Sequence, residues 1–462
     1  MTRGMGVLGS ARRFHFVGVG GIGMSGIAEL LVNLGYEVSG SDMQHTEITD
    51  RLKSLGVRFA EGHDARNVGN AEVLVYSSAV RPSNPEVAAA VARGLPIIPR
   101  ADMLGELMEA REAIAVAGAH GKTTTSSMIA VMLEAAGLDP TAVIGGRLAA
   151  FGSSARLGRG KYFVAEADES DRSFLRLKPG VAVITNIDQE HLEAYRDFAH
   201  LQQAFATFAN SVPESGAVIL CADDQYLQAL RPSITRRVVT YGFGRDAEIR
   251  ADGVRVEGFG SRSVVKGFGA LELSVPGRHN VLNALAAVAV GRELGVEWPD
   301  IARGLKSFQG AERRFQRRGE VNGIPVVEDY GHHPTEIAAV IAAARPIANA
   351  RLILAFQPHR FSRTQFLMNE FGHAFGGADA VFLTDIYAAG EDPIPGVDLD
   401  ALAGAIRASF NGELHVVRAL SDVPAALARF AKPRDLIVLL GAGSIGSIAP
   451  SVLTELSKAG RG

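Results

Sequence analysis

The feature of this sequence that most constrains its fold is a recurring order of local patterns: a short apolar run, a glycine or polar turn, and then a helical stretch. The apolar runs cover residues 14–19, 73–76, 113–117, 162–165, 181–185, 217–220, 352–356, 380–384 and 436–440. Strands as apolar as these are typical of parallel sheets that helices cover on both faces. We therefore expect an α/β fold with mostly parallel sheets, and ligands bound at the carboxyl ends of the strands.

The alternation falls into three blocks, each opened by an apolar strand. A helical stretch at 101–111 precedes the second block, and a basic stretch at 313–318 precedes the first strand of the third. A chain of 462 residues is expected to hold roughly two to four domains. We therefore predict domains at residues 1–112, 113–315 and 316–462, the second of which includes a small antiparallel excursion at 239–275.

Composition excludes several classes of protein. A hydrophobic fraction of 47% excludes global disorder, and 47 basic against 50 acidic residues give no general reason to bind nucleic acid or an anionic membrane. The single cysteine, Cys221, cannot form an intrachain disulfide, which favours a reducing cytoplasm. No signal peptide is expected, because residues 1–14 contain no long apolar stretch. No membrane insertion is expected, because glycines and a proline interrupt the apolar stretch at 436–454, which predicts a strand, a turn and a helix.

The first block contains a glycine-rich loop between a predicted strand and a predicted helix. Gly18, Gly20 and Gly23 match the pattern G-x-G-x-x-G, and Asp42 ends the next strand. Such a loop lets backbone N–H groups approach a diphosphate, and an acid at that place can accept a hydrogen bond from a ribose hydroxyl. The motif alone suggests NAD, and a purely structural glycine turn is the alternative.

A second glycine loop opens the second block and carries a lysine. Gly118, Gly121, Lys122 and Thr123 form the pattern G-x-x-G-K-T, which is shorter than a strict phosphate loop because Val116 stands at its first glycine. Backbone N–H groups would cradle the β- and γ-phosphates of a nucleotide, the lysine would neutralise them, and the threonine hydroxyl would reach Mg²⁺.

Acidic and imidazole side chains follow two further strands of the second block. Glu166 ends one strand and is followed closely by other acids, and carboxylate oxygens at a strand end suit Mg²⁺. His191 follows the next strand and is a second candidate ligand, although imidazole is unusual for Mg²⁺. A solvated acidic loop and a structural histidine are the alternatives.

Polar groups in the last part of the chain complete the candidate site. His279 and Asn283 lie at a predicted helix start, where Asn283 could contact a base edge and Asn280 could cap the helix. Arg314 lies near a predicted domain boundary and could reach a phosphate. Three loops of the third block, each after an apolar strand, contribute Asp329, His332, His333, His359, Arg360, Arg363, Asp385 and Glu391, any of which could instead be a surface residue.

Taken in order, these segments resemble the Mur ligases over nearly the whole chain. The matching motifs are GVGGIGMSGIA, GAHGKTTT, EADESD, TNIDQEH, GRHNVLNA, AERRF, DYGHHPTE, QPHRFSR and DIYAAGE. The form of the first loop is similar to that of the alanine-adding branch of the family. The resemblance implies a Rossmann-like domain that binds a UDP substrate, a central ATP-binding domain, and a C-terminal Rossmann-like domain that binds an amino acid, so the first loop would hold uridine diphosphate and not NAD.

The resemblance also implies roles for individual residues. The ATP-binding set is Gly118, Ala119, His120, Gly121, Lys122, Thr123, Thr124, His279, Asn283, Arg314 and Asp329. The set for the UDP substrate is Gly18, Gly20, Gly21, Gly23, Met24, Asp42 and Ser78. Thr123, Glu166 and His191 would hold Mg²⁺. The implied catalytic groups are Lys122, His191, His332, His359, Arg360 and Arg363, and the implied amino-acid site is Tyr330, His332 and Arg363.

Three departures from the family pattern are visible. Ala119 stands where the family usually has threonine, and Glu190 stands where it usually has aspartate. Several members carry a carbamylated lysine after the histidine that corresponds to His191, and this chain has no lysine between His191 and Asn210. The alanine-adding branch is similar in lacking that lysine.

The activity that the resemblance implies is ATP-dependent ligation of L-alanine to the lactyl carboxylate of UDP-N-acetylmuramate, through an acyl phosphate, in peptidoglycan precursor synthesis. ATP and Mg²⁺ are the expected cofactors, the expected location is the cytoplasm, and the expected state is a monomer or homodimer whose domains close on substrate. The alternatives are a ligase that recycles a preformed tripeptide, a NAD-dependent oxidoreductase, and a nucleotide-sensing protein without turnover.

Overall fold

The computed structural model describes residues 6–77, 79–148, 151–190 and 194–459, so the predictions for Ser78 and His191 lie outside the described residues. Its contacts divide the chain into two compact units. Unit 1 contains the described residues up to Asp252, with Val265–Gly269 and Leu282–Phe308. Unit 2 contains Gly253–Val264, Ala270–Val281 and the described residues from Gln309 onward. The division into three domains at residues 112 and 315 stays a prediction.

Unit 1 begins with a parallel sheet of five strands. The strands are β1 Arg13–Val17, β2 Glu37–Asp42, β3 Arg58–Glu61, β4 Val73–Tyr76 and β5 Ile97–Pro99, in the order β3-β2-β1-β4-β5. The helices along this part of the chain are α1 Val7–Ser10, α2 Ile22–Asn33, α3 Glu47–Ser54, α4 Pro85–Ala92 and α5 Arg100–Glu109. The side chains of β1 from Phe14 to Val17 are buried, as the apolar run predicted.

A second sheet of unit 1 contains two strands, Val181–Ile184 and Ala217–Cys221, in which every residue is buried. Its strands are β6 Glu112–Ala117, β7 Thr141–Leu148, β8 Ser153–Arg156, β9 Tyr162–Glu166, β10 Val181–Ile184, β11 Ala217–Cys221 and β12 Val238–Gly242, in the order β12-β11-β10-β6-β9-β7-β8. All neighbours pair in parallel except β7 with β8. The helices here are α6 Lys122–Ala135, α7 Phe198–Asn210 and α8 Gln225–Leu230.

The boundary between the two units runs through the next part of the chain. Three strands follow, β13 Ile249–Glu257, β14 Gly260–Val265 and β15 Gly269–Leu273, and then two helices, α9 Arg278–Glu293 and α10 Trp298–Ser307. The prediction of an antiparallel excursion that starts at residue 239 was wrong for its first strand, because β12 pairs in parallel with β11 and extends the sheet.

Unit 2 contains a six-stranded sheet with an apolar cluster on each face. Its strands are β16 Gln316–Val321, β17 Ile324–Asp329, β18 Leu352–Phe356, β19 Ala380–Leu383, β20 Glu413–Val416 and β21 Leu436–Leu440, in the order β16-β17-β21-β18-β19-β20. Only the β16–β17 hairpin is antiparallel among these described pairs. The helices are α11 Pro334–Ala344, α12 Phe361–Phe366, α13 Met368–His373, α14 Leu399–Arg407, α15 Val423–Phe430 and α16 Ala449–Ala459.

The architecture confirms the predicted α/β class of mostly parallel sheets flanked by helices. The apolar stretch at 436–454 forms β21, a turn and the start of α16, as its glycines and proline indicated. Within the part of the chain that the structure describes, no helix combines the length and the apolar character needed to cross a membrane. Loops that carry polar groups follow β6, β9 and β10 in unit 1, and β17 and β18 in unit 2, at the carboxyl ends of these strands.

Candidate active site

The second glycine loop of unit 1 has a backbone that only glycine suits at two positions. It joins β6 to α6, and both Gly118 and Gly121 have positive φ, at 132° and 80°. A methyl group on Gly118 would overlap the hydroxyl of Thr185, and one on Gly121 would lie 2.6 Å from the Asn283 Oδ1 atom. The two glycines therefore allow the loop to lie close to neighbouring side chains. The loop leads directly into α6, so its N–H groups lie beside the N-terminus of a long helix.

Lys122 begins α6 and is surrounded by oxygen atoms. Its Nζ atom donates hydrogen bonds to the carbonyl of Gly118 at 2.6 Å, the carbonyl of Ala119 at 3.1 Å and the Glu169 carboxylate at 2.8 Å. Burial alone would lower the pKa of Lys122, but the carboxylates of Glu169, Glu166 and Asp168 raise it above its ordinary value. The amine is therefore positively charged at neutral pH, in the loop where a phosphate is expected.

Two of the predicted metal ligands are in contact. The Thr123 hydroxyl, in the first turn of α6 beside Thr124, donates to Glu166 Oε2 at 2.9 Å, and the same oxygen accepts from the Gly145 N–H at 2.8 Å. A methyl group on Gly145 would meet this carboxylate at 2.6 Å, so the glycine makes room for it. A hydroxyl and a carboxylate at a strand end are hard oxygen donors, and they fit Mg²⁺.

The residues after β10 hold the loop in place, and sequence reasoning gave them no role. Asn186 accepts from the His120 N–H at 2.9 Å and donates to the His120 carbonyl at 3.0 Å, while Thr185 donates to the same carbonyl at 2.6 Å. The His120 ring lies 2.9 Å from an oxygen of Asp188. The motif TNIDQEH contained a signal for this role. It begins at the end of β10, which pairs in parallel with β6, so its first polar residues lie beside the loop that follows β6.

The first glycine loop of unit 1 is shaped by side chains on both sides. It joins β1 to α2, and the N–H of Gly20 donates to Asp42 Oδ2 at 2.9 Å. Gly18 has φ of 80°, whereas Gly21 has an ordinary φ of −66°, and a methyl group on Gly21 would meet the Gly18 carbonyl at an ordinary 3.6 Å. On the other side, Gly23 lies against the guanidinium of Arg100. Asp42 therefore braces the loop in this structure, and a contact with a ribose stays a prediction.

Met24 and Asn283 occupy positions that limit how they could act. The Met24 side chain is 2% exposed in the core of unit 1, so any contact of this residue with a ligand must come from its main chain. Asn283 lies on α9 against the second loop, where its Oδ1 atom accepts from the Thr125 hydroxyl at 3.2 Å. That contact packs Asn283 under the loop, and its predicted role in reading adenine stays a prediction.

In unit 2, Asp329 ends β17 and ties down the loop that follows. Its carboxylate accepts from the N–H of Gly331 at 2.7 Å and from the N–H of Phe315 at 2.8 Å. Burial raises the pKa of Asp329 to about 6, although Arg314 and both backbone bonds act in the opposite direction. Burial also lowers the pKa of His279 to about 4, and Arg314 adds to that shift. Arg314 thus acts electrostatically on two other residues predicted to contact ATP, His279 and Asp329.

A run of aromatic rings brings together the residues predicted for the amino-acid site. The ring centroids of Tyr330 and His332 are 5.5 Å apart, those of His332 and His359 are 5.6 Å apart, and Tyr387 stacks on His359 at 5.6 Å with an angle of 13°. Arg363 donates to His359 Nδ1 at 3.1 Å. Tyr387 lies in the motif DIYAAGE, and the sequence had predicted no role for it.

His359 is uncharged in this surrounding. Burial lowers its pKa to about 3, and the neighbouring charges of His332, Arg363 and Arg360 lower it further. Arg360, which directly follows His359 in the chain, has a positive φ of 72°, an uncommon conformation for a residue with a side chain. Glu391 accepts from the hydroxyl of Ser362 at 2.6 Å and holds the same loop. The cluster offers two guanidinium groups and a neutral imidazole, which suits a carboxylate ligand.

Comparison with protein families decides what these sites belong to. Residues 13–112 match the Mur ligase family, catalytic domain, residues 116–291 match the Mur ligase middle domain, and residues 313–443 match the Mur ligase, glutamate ligase domain. The chain belongs to the Mur ligase family. The resemblance read from the motifs is therefore confirmed, and the protein is an ATP-dependent ligase.

Individual Mur ligases match over almost the whole chain. The UDP-N-acetylmuramate–L-alanine ligase of Syntrophus aciditrophicus is 49% identical over 451 residues, which are 97% of this chain and 94% of that protein. The enzyme of the same name from Geotalea uraniireducens is 50% identical over 97% of this chain and 99% of that protein. Among solved structures, the UDP-N-acetylmuramate–alanine ligase of Thermotoga maritima aligns with a TM-score of 0.83 at 28% identity, covering 97% of this chain and 99% of that one.

A second type of Mur ligase is more distant. The murein peptide ligase of Psychrobacter arcticus aligns with a TM-score of 0.69 at 25% identity, covering 96% of this chain and 99% of that one. Both the score and the identity are lower than those for the Thermotoga maritima enzyme. The fold is thus common to both types of Mur ligase.

Proposed function

We propose that this Mur ligase joins L-alanine to the lactyl carboxylate of UDP-N-acetylmuramate, with ATP as the energy source, in peptidoglycan precursor synthesis. The observation that carries the proposal is the match of 49% to 51% identity, over at least 95% of the chain, to relatives that bear the name of this reaction. Peptidoglycan precursors with a UDP carrier, ATP and L-alanine are then the small-molecule partners.

Phosphoryl transfer explains why such a ligase needs a phosphate loop. A carboxylate is a poor electrophile, because substitution would expel oxide. Transfer of the γ-phosphoryl group of ATP to the carboxylate gives an acyl phosphate and ADP, and the amine of L-alanine then displaces phosphate to form the amide. Catalysis of the first step consists mainly of positioning and charge neutralisation. Water must be kept away from the acyl phosphate, because water would hydrolyse this intermediate before the amine could attack.

In unit 1, Lys122 is the group that neutralises the transferred phosphoryl. Its ammonium is held by Glu169 and by two carbonyls of the loop. A bound triphosphate offers oxygens at the same place, so the ammonium would exchange its present partners for phosphate. Thr123 and Glu166 would hold Mg²⁺, whose charge offsets that of the phosphates, and the predicted third ligand, His191, lies outside the described residues.

In unit 2, the ring cluster is proposed to hold the incoming amino acid. Arg360 and Arg363 would pair with its carboxylate, and Tyr330, His332 and His359 would surround it. Because the pKa of His359 is about 3, this imidazole stays neutral across the physiological pH range and contributes hydrogen bonds, not charge. His279, Asn283, Arg314 and Asp329 are proposed to contact ATP, and Gly18, Gly20, Gly21, Gly23, Met24 and Asp42 to contact the UDP substrate.

An ADP-release assay tests the proposed reaction. Purified protein with ATP, Mg²⁺ and UDP-N-acetylmuramate should release ADP when L-alanine is added, and omission of the sugar nucleotide should abolish the release. A panel with glycine, L-serine and the tripeptide of a recycled muropeptide separates the candidates. Release with the tripeptide and none with L-alanine would replace the proposal with the recycling ligase, the type of the second structural match.

Chelation tests the metal. Addition of excess EDTA should stop ADP release, and excess Mg²⁺ should restore it, because the Thr123 and Glu166 oxygens are hard donors. The expected cytoplasmic location and the monomer or homodimer state stay predictions.

A further inference from the structure

Arg100 lies between the first glycine loop and the acidic segment that follows β9. It is the first residue of α5 and directly follows β5, so it stands at the carboxyl edge of the five-stranded sheet. A methyl group placed on Gly23 would lie 2.7 Å from the Arg100 Nη1 atom. The third glycine of a dinucleotide-binding loop commonly allows a helix to pack against a strand. Here the missing side chain leaves space for a guanidinium beside the first loop.

The other side of the same guanidinium faces the acids that follow β9. Its Nη2 atom is 3.5 Å from Asp168 Oδ2, 3.5 Å from the Ser173 hydroxyl and 3.9 Å from Asp171 Oδ2. The Arg100 side chain is only 19% exposed, so solvent screens these interactions incompletely. Arg100 therefore joins the first loop to the acidic segment that contains Glu169, the carboxylate bound to Lys122.

Asp168 connects this arginine to the second loop. The Asp168 carboxylate accepts from the N–H of Ser170 at 3.0 Å, and its other oxygen lies 3.5 Å from Arg100. The next residue in the chain, Glu169, holds the ammonium of Lys122. Removal of Arg100 would leave this charge, and that of Asp171, less neutralised near the place where a triphosphate binds.

We propose that Arg100 is a positioning residue shared by both nucleotide sites of unit 1. It places positive charge beside the loop for the sugar nucleotide, and it neutralises the carboxylates that would otherwise repel the phosphates of ATP. The inference rests on the proposed function, because it takes the first loop to bind UDP-N-acetylmuramate and the second to bind ATP. A residue that belongs to one site alone should affect the KM of one substrate, whereas Arg100 should affect both.

Steady-state kinetics of Arg100→Ala tests this idea. We expect the KM values for ATP and for UDP-N-acetylmuramate each to rise about tenfold, the size of losing one charge-assisted interaction, with a smaller change in kcat. Arg100→Lys keeps the charge but loses the fork geometry, so it should recover most of the KM for ATP and less of that for the sugar nucleotide. A rise in only one KM for Arg100→Ala would overturn the proposal.

A second arginine provides a matched control. Arg176 lies on the segment after β9 and donates to both carboxylate oxygens of Asp102 on α5, at 2.8 and 2.7 Å, and its side chain is 53% exposed against 19% for Arg100. Arg176→Ala should leave both KM values within about twofold of the wild type, since exposed ion pairs contribute little. The same pair of KM increases in Arg176→Ala would show that Arg100 only clamps the two sheets together.

Rescue separates the two roles of Arg100. In Arg100→Ala/Asp168→Asn, the nearer of the two carboxylates, at 3.5 Å from Arg100 against 3.9 Å for Asp171, loses its charge, while the Asn side-chain oxygen can still accept from the N–H of Ser170, as Asp168 does at 3.0 Å. This double variant should restore the KM for ATP but not that for UDP-N-acetylmuramate. Restoration of both, or of neither, contradicts a shared charge role.

Gly23→Ala tests the same contact from the other side. The added methyl should displace the guanidinium and raise the KM for UDP-N-acetylmuramate. It should not lower the thermal midpoint, because alanine has a higher helix propensity than glycine.

If Arg100→Ala unfolds, Arg100→Gln replaces it with the same expected increases. Wild-type protein that releases no ADP with both substrates refutes the proposed function itself, whereas active wild type with unchanged KM values in these variants refutes only the role of Arg100.

Discussion

The two glycine loops of unit 1 have the same backbone plan and different side chains around it. Each loop follows a buried parallel strand and leads into a helix, β1 into α2 and β6 into α6. The first is bordered by Asp42 and Arg100, and neither is part of the loop. The second carries its own Lys122 and Thr123, which contact carboxylates at the end of the neighbouring strand. Glycine spacing thus makes an anion site, and the added lysine and metal ligands make one that can transfer a phosphoryl group.

The loops also differ in how closely they are packed. Methyl groups on Gly118 or Gly121 would collide with Thr185 or Asn283, whereas a methyl group on Gly21 would have the Gly18 carbonyl as its neighbour at an ordinary 3.6 Å. The second loop is therefore held by Thr185 at its first glycine and by Asn283 at its second. In the first loop, methyl groups on Gly20 and Gly23 would meet the ends of the Asp42 and Arg100 side chains at 2.9 and 2.7 Å, so the room lies at Gly21, between these two positions.

Removal of the lysine should produce the largest difference between the loops. We expect Lys122→Ala to lower kcat by about 10³-fold, since a preorganised charge at the transferring phosphoryl is lost. The KM for UDP-N-acetylmuramate should change little. An ADP-release assay measures both, and Lys161→Ala, at an exposed lysine paired with Glu112, is the control. Near-normal ligation by Lys122→Ala would remove the second loop from the mechanism.

Stability must be separated from catalysis in that variant. Glu169 is almost fully buried, and loss of its ion pair with Lys122 would be expected to cost stability. Lys122→Ala/Glu169→Gln removes the buried charge as well. This double variant should regain the thermal midpoint of the wild type and remain inactive, which would show that the lysine is needed for turnover and not only for folding.

The packing difference predicts unequal tolerance of alanine. Gly118→Ala forces a side-chain-bearing residue to φ of 132° and against Thr185, so we expect a loss of about 3 kcal/mol in the free energy of unfolding. Gly21→Ala, at an ordinary φ and with only an ordinary contact for the added methyl group, should change it by less than about 0.5 kcal/mol. Urea unfolding followed by circular dichroism measures both. Equal losses would mean that the first loop is as tightly constrained as the second.

Local patterns were enough to predict the loops and the class of fold. The second loop runs from the end of β6 to the start of α6 at Lys122, as the strand, glycine and helix signals indicated, because those signals act within a few residues. The chemistry of the first loop was less determined. Its motif alone suggested NAD, and only the order of motifs along the whole chain identified the family.

Contacts between distant residues could not be predicted from patterns. Glu169 follows Lys122 by 47 residues, and Asn283 follows Thr125 by 158, so neither pairing has a local signal. The role of Gly23 was hidden for the same reason, since Arg100 comes from another strand end of the same sheet. Sheet order brings these side chains together, and the sequence pattern alone does not specify it.

The smallest effect concerns the acid that borders the first loop. Asp42→Ala should raise the KM for UDP-N-acetylmuramate about tenfold through loss of its hydrogen bond to the Gly20 N–H and of the predicted contact with ribose. The KM for ATP should stay the same, because Asp42 lies on the five-stranded sheet, whereas the acids beside Lys122 follow β9 of the other sheet. Asp42→Asn keeps an acceptor for Gly20 and should give an intermediate KM. An equal rise in both KM values for Asp42→Ala would mean that the two loops do not serve separate substrates, and the comparison between them would fail.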